Sequence, residues 1–105
     1  MDLTARQLTI VGDILERHVP DFDVRAFGSR VRGGARPTSD LDLVIMTDLP
    51  LPSYLLIDLK EAFSESALPF KVDVVDWAAC DETFRGIIGQ HSQIVRSGRK
   101  APDLD

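Results

Sequence analysis

The sequence predicts an α/β fold: one small domain in which a mixed sheet of three or four strands carries helices on one face and a site on the other. Three observations predict it. Two segments, Thr4 to about His18 and Ser53 to about Ser66, repeat their apolar residues at helical intervals. Three others, Phe22–Phe27, Asp40–Met46 and Phe70–Val75, alternate as strands do. The chain has 105 residues, enough for a single core spanning 1–105 and too few for an accessory substrate domain.

The first helix is amphipathic, with Leu8, Val11 and Ile14-Leu15 on one side and Arg6, Asp13, Glu16 and Arg17 between them. Thr4 and Gln7 have the spacing of a capping box, and Pro20 ends the helix. In the first strand Val24 and Ala26 share a face with Phe22, while Asp23, Arg25 and Phe27 take the other. It delivers the chain to Gly28-Ser29. Residues Ser29–Arg32 suit a short helical turn, broken by Gly33-Gly34, and Pro37 precedes the second strand. A loop with Pro50 and Pro52 leads to the second long helix, which buries Leu55-Leu56, Leu59 and Ala62-Phe63. In the third strand Val72 and Val74 point inward and Asp73 outward; Asp76, three residues on, falls on the opposite face by parity.

Asp81 caps a third helix that carries Phe84, Ile87-Ile88 and His91. Ile94-Val95 either prolongs that helix or packs as a short segment on the sheet, and the tail from about residue 97 reads as frayed.

Composition excludes several functions. A net charge of −5 disfavours a nucleic-acid surface, although four of the twelve basic residues (Arg25, Arg30, Arg32, Arg36) fall within twelve positions. Such a local cluster suits a compact polyanion such as a nucleoside triphosphate. The lone Cys80 supports neither a disulfide framework nor a cysteine zinc site. No apolar run approaches the ~20 residues of a membrane span, and no signal-type stretch leads the chain, so a cytoplasmic protein is expected.

The chemistry concentrates between Phe27 and Val44. Asp40 and Asp42 lie one residue apart at a strand start, so their carboxylates share a side, about 7 Å apart at ~3.3 Å per residue. Two like charges so placed repel unless a cation lies between them or one is protonated, and Mg²⁺ is commonly held by one or two carboxylates plus substrate phosphates. Upstream, Gly28 allows close backbone approach, and the Ser29 hydroxyl with neighbouring N–H groups can donate to phosphate oxygens. Arg30, Arg32 and Arg36 add guanidinium donors. Asp73, on a later strand with the right parity, is the third acid expected in the site.

Gly28-Ser29, ten residues from Arg30 to Ser39, then Asp40-Leu41-Asp42 resembles the signature of the DNA polymerase beta-like nucleotidyltransferases. The fuller run, with Arg32-Gly33, Arg36-Pro37 and Ser39-Asp40-Leu41-Asp42-Leu43, is similar to the minimal nucleotidyltransferase (MNT) branch. The resemblance implies a nucleotidyltransferase fold and the transfer of AMP from ATP with release of pyrophosphate. It assigns Asp40, Asp42 and Asp73 to catalysis and to two Mg²⁺ ions, and Gly28, Ser29, Arg30 and Arg32 to the nucleotide. It further implies an antitoxin whose partner is a HEPN-domain RNase toxin, neutralised by AMP on a tyrosine hydroxyl, in a homomeric or heteromeric assembly. Two alternatives stand beside it: an antitoxin acting by binding alone, and a homodimeric nucleotidyltransferase of small molecules.

Overall fold

The computed structural model describes residues 1–99, so the expected fraying of Lys100 and Pro102-Asp103 lies outside the described residues. The elements run α1 (Ala5–His18), β1 (Val24–Phe27), α2 (Ser29–Arg32), β2 (Leu41–Ile45), α3 (Ser53–Ser64), β3 (Val72–Asp76), a 3₁₀ turn (Trp77–Ala79), α4 (Glu82–Gln90) and β4 (Ser92–Arg96). Helix α1 starts at a complete capping box: the Gln7 N–H donates to Thr4 Oγ1 at 3.1 Å and the Thr4 N–H to Gln7 Oε1 at 3.0 Å. Helix α4 starts on Asp81, which accepts the Phe84 N–H at 2.8 Å.

The four strands lie in the order β3-β2-β1-β4. β1 pairs antiparallel with both β2 and β4, whereas β2 and β3 are parallel, with α3 as the crossover between them. The sheet is therefore mixed. Helices α1 and α3 cover one face, where Val11, Leu15, Val24, Leu41, Leu43 and Leu59 are completely buried. The other face carries Phe27, Asp42, Val44, Asp73 and Val75. Its apolar half needs cover of its own, and α4 supplies it: Ile88 packs with Phe27 and Val44, and Phe84 meets the Phe27 ring edge-on at 5.7 Å.

Ile94-Val95 belongs to an edge strand, β4, rather than to the preceding helix, which stops at Gln90 with His91 extended. The chain beyond it is held through Arg99, against the expected fraying from residue 97. The Gly98 N–H donates to Asp23 Oδ1 at 2.7 Å, the Arg99 N–H to the Pro20 carbonyl at 2.8 Å, and the Arg99 guanidinium reaches Glu16 at 3.2 Å. No described helix is long and apolar enough to cross a membrane.

Candidate active site

The site is assembled at the ends of β1, β2 and β3. β1 ends at Gly28, whose φ of +80° is a conformation that side chains disfavour. A Cβ there would also overlap the Asp42 carboxylate, so the backbone and that acid approach as closely as they do only because the residue is glycine. The turn closes at once: the N–H groups of Val31 and Arg32 both donate to the Gly28 carbonyl, at 3.1 and 3.0 Å. The N–H groups of Ser29 and Arg30 make no hydrogen bond among the described residues and remain as donors.

Asp42 pairs in register with Phe27 on one side and with Asp73 on the other. Neighbouring strands are about 4.8 Å apart, so Asp42 and Asp73 stand side by side on one face. Asp40, exposed, lies two residues ahead of Asp42 just before β2. Burial, followed by the negative charges of Asp73 and Asp40, pushes the Asp42 carboxyl above the usual carboxylate range, against the lowering effect of Arg32. Asp73 stays accessible, its side chain 44% exposed, with Lys71 Nζ 3.5 Å away.

A cleft of about 330 Å³ opens over these groups, bounded by Gly28, Arg32, Asp42 and Asp73 on the sheet side. α4 forms the opposite wall with Phe84, Ile87, Gln90 and, just after it, His91. The sequence reading gave these α4 residues no part in a site. The available signal was that Phe84, Ile87 and Ile88 span a stripe too wide for one contact: Ile88 is buried while Ile87 is 55% exposed toward the cleft.

Arg30, expected beside the phosphates, is placed elsewhere. It is 5% exposed, and its guanidinium donates to the carbonyls of Asp2 (2.6 Å), Ser39 (2.8 and 3.0 Å), Pro37 (3.1 Å) and Arg36 (3.5 Å) while stacking 4.0 Å from the Phe70 ring. Its Nε and Nη2 donors are turned into the loop 36–39 that leads to Asp40, and Nη1 is turned to Asp2. Arg32, exposed and on the cleft wall, is the arginine that faces the carboxylates. Arg30→Ala should cost about 3 kcal/mol or more in denaturant unfolding, because several carbonyls lose their charged donor together, and Arg30→Lys should restore little of it. Asp76 is likewise apart, 4% exposed, accepting the Thr47 hydroxyl and the Leu51 N–H (2.6 Å) on the face its parity predicts.

Among the described residues no three carboxylate, imidazole or thiol groups converge into a metal cage made by protein alone. An adjacent, partly desolvated carboxylate pair suits Mg²⁺, which completes its octahedron with phosphate oxygens and water. The arrangement can therefore hold a metal-bound triphosphate between the Gly28 turn and the two acids.

Residues 8–101 match the nucleotidyltransferase domain family. Over 100 residues, 95% of this chain and 88% of the relative, the sequence is 47% identical to a probable protein adenylyltransferase, MntA, of Haemophilus influenzae. A toxin–antitoxin crystal structure with AMP-PNP shares the fold with a TM-score of 0.73 at 19% identity, over 88% of this chain and 74% of that one. So does a tri-AMPylated Shewanella oneidensis HEPN toxin in complex with MNT antitoxin, with a TM-score of 0.61 at 18% identity, over 81% of this chain and 65% of that one.

Proposed function

The chain belongs to the nucleotidyltransferase domain family, and from that premise we propose that it is a Mg²⁺-dependent protein adenylyltransferase acting as an antitoxin. It transfers AMP from ATP to a hydroxyl, that of a tyrosine, on a partner HEPN-domain RNase toxin and so neutralises it. The observation that carries the reading is the register pairing of Asp42 with Asp73 beside a glycine turn that admits no Cβ. The 47% identity to a probable protein adenylyltransferase supports a protein as the acceptor.

Each residue has a derivable task. The free N–H groups of the α2 turn and the Ser29 hydroxyl bind β- and γ-phosphate oxygens, and Arg32 offsets their charge from the cleft wall. Asp42 and Asp73 would hold Mg²⁺, with Asp40 adding its charge from just ahead of β2, and the ion's chemistry when bound is to polarise the phosphate and lower the pKa of the attacking hydroxyl. Phe27 and Phe84 close the apolar side of the cleft and limit water there. The acceptor oxygen attacks the α-phosphorus, the bond from that phosphorus to the bridging oxygen breaks, and pyrophosphate departs. Asp73, whose side chain is 44% exposed, takes the hydroxyl proton.

Incubation with a cognate HEPN-domain protein, ATP and Mg²⁺ should raise the partner's mass by one or more AMP units. EDTA should prevent the gain, as should Asp40→Ala combined with Asp42→Ala. An unchanged partner mass in the wild-type reaction would overturn the proposal, and a double variant that still neutralised the toxin fully would favour blocking by contact.

A further inference from the structure

β3 is an edge strand: among the described residues it pairs with β2 alone. The Lys71 carbonyl accepts the Leu41 N–H at 2.9 Å, which fixes which way the backbone groups of β3 turn. Backbone groups alternate sides along a strand, so Val72 and Val74 direct their N–H and C=O groups away from β2, the one strand that pairs with β3 among the described residues. Between them sits Asp73, on the cleft face. Two grooves open along this same edge. One, of about 640 Å³, runs past Lys60, Phe63 and Lys71; the other, of about 420 Å³, past Leu56, Cys80 and Phe84.

We propose that the β3 edge is the docking site for the acceptor: an extended, hydroxyl-bearing segment of the protein partner adds to the sheet as a fifth strand and sets its acceptor residue directly opposite Asp73. The inference rests on the protein-adenylyltransferase reading above and specifies how the substrate is presented. Unpaired strand donors and acceptors in this spacing are satisfied by another extended backbone, not by a helix. A residue opposite Asp73 in an added antiparallel strand has its Cβ about 5 Å from that of Asp73 and projects on the same face, toward Asp42 and the Gly28 turn. The hydrogen-bonded pairs at Val72 and Val74 flank it and hold the register. In a chain of net charge −5, Lys60 stands along one groove as a cation beside the Lys71–Asp73 ion pair, which suits an acidic flank on the segment, while Leu56, Cys80 and Phe84 line an apolar stretch of the other groove, next to Asp81.

The test is amide exchange by NMR on the full chain, alone and with a cognate HEPN-domain protein, Mg²⁺ and α,β-methylene ATP, whose α–β bridge cannot be cleaved. The Val72 and Val74 amides should slow about tenfold or more on complex formation, the factor expected for one hydrogen bond gained. In turnover with ATP, Val74→Pro removes the outward donor and should raise the KM for the partner about tenfold with ATP affinity unchanged, whereas Val74→Ala keeps the donor and should not. If Val74→Pro does not fold, the exchange experiment decides. A partner that gains AMP while both amides keep their free exchange rates overturns edge docking and leaves the transferase reading standing. Slowed amides with no AMP gained in the ATP reaction would uphold the docking surface and overturn the transferase.

Discussion

Asp42→Asn should lower AMP transfer by on the order of 10³-fold and, in metal-free buffer, raise the melting temperature of the protein. Both effects have one origin. The carboxylate is partly buried between Asp73 and Asp40, a poor place for a charge until a cation arrives, so it holds its proton to higher pH than the ordinary aspartate value of 3.8. Above 3.8 and up to the folded value, the native state binds more protons than the unfolded chain. Stability therefore falls as pH rises through that window and stays lower beyond it. Asparagine keeps the shape and removes the titration. The melting temperatures of variant and wild type should converge below pH 3.8, separate as pH rises, and then run parallel; adding Mg²⁺ and ATP should stabilise the wild type far more than the variant. Thermal scans in EDTA across pH, beside a partner-labelling assay, check both halves. A variant less stable than wild type at neutral pH would contradict this account of the site.

Gly28→Ala should reduce transfer by about 10²-fold with a smaller loss of stability, about 2 kcal/mol. The alanine meets two penalties: a φ of +80° and a methyl group that overlaps the Asp42 carboxylate. Relief comes from swinging the acid aside or unwinding the α2 turn, and either one misplaces a group that handles phosphate. Gly34→Ala separates the two penalties, since Gly34 also has a positive φ, +81°, but nothing lies within 4 Å of its Cβ position. It should cost about 1 kcal/mol in unfolding and leave transfer close to wild type. Equal activity losses in the two variants would mean that backbone strain, not the contact with Asp42, is what matters at residue 28.

Much of this arrangement was legible from local pattern. The Thr4–Gln7 box, the strand alternation and the parity that separates Asp73 from Asp76 are short-range rules, and the structure obeys each of them. Asp73 was brought beside Asp42 by the same parity together with the short parallel crossover through α3. Arg30 was misplaced because residue type alone does not say which way a guanidinium turns. In the folded chain the carbonyls of residues 36–39 outcompete solvent for it. The role of α4 was missed because its second contact surface exists only once Phe27 and Val44 lie side by side on paired strands. β4 was ambiguous because its exposure pattern lacks a clean alternation: edge pairing to β1 holds it, not burial.

That last pairing has a consequence for synthesis. β1, the strand that delivers Gly28, has β4 as one of its two neighbours, and the Arg25 guanidinium bonds the Ser92 hydroxyl at 2.9 Å across 67 positions of chain. Gly98 and Arg99 then fasten onto the turn ahead of β1. Contacts of such separation form late, after the chain between them has been made and its loop closed. A ribosome-bound chain that has exposed all three acids would still lack one flank of β1. Maturation of the phosphate turn should therefore wait until residues 92–99 have emerged and paired, giving a lag between synthesis of the acids and competence.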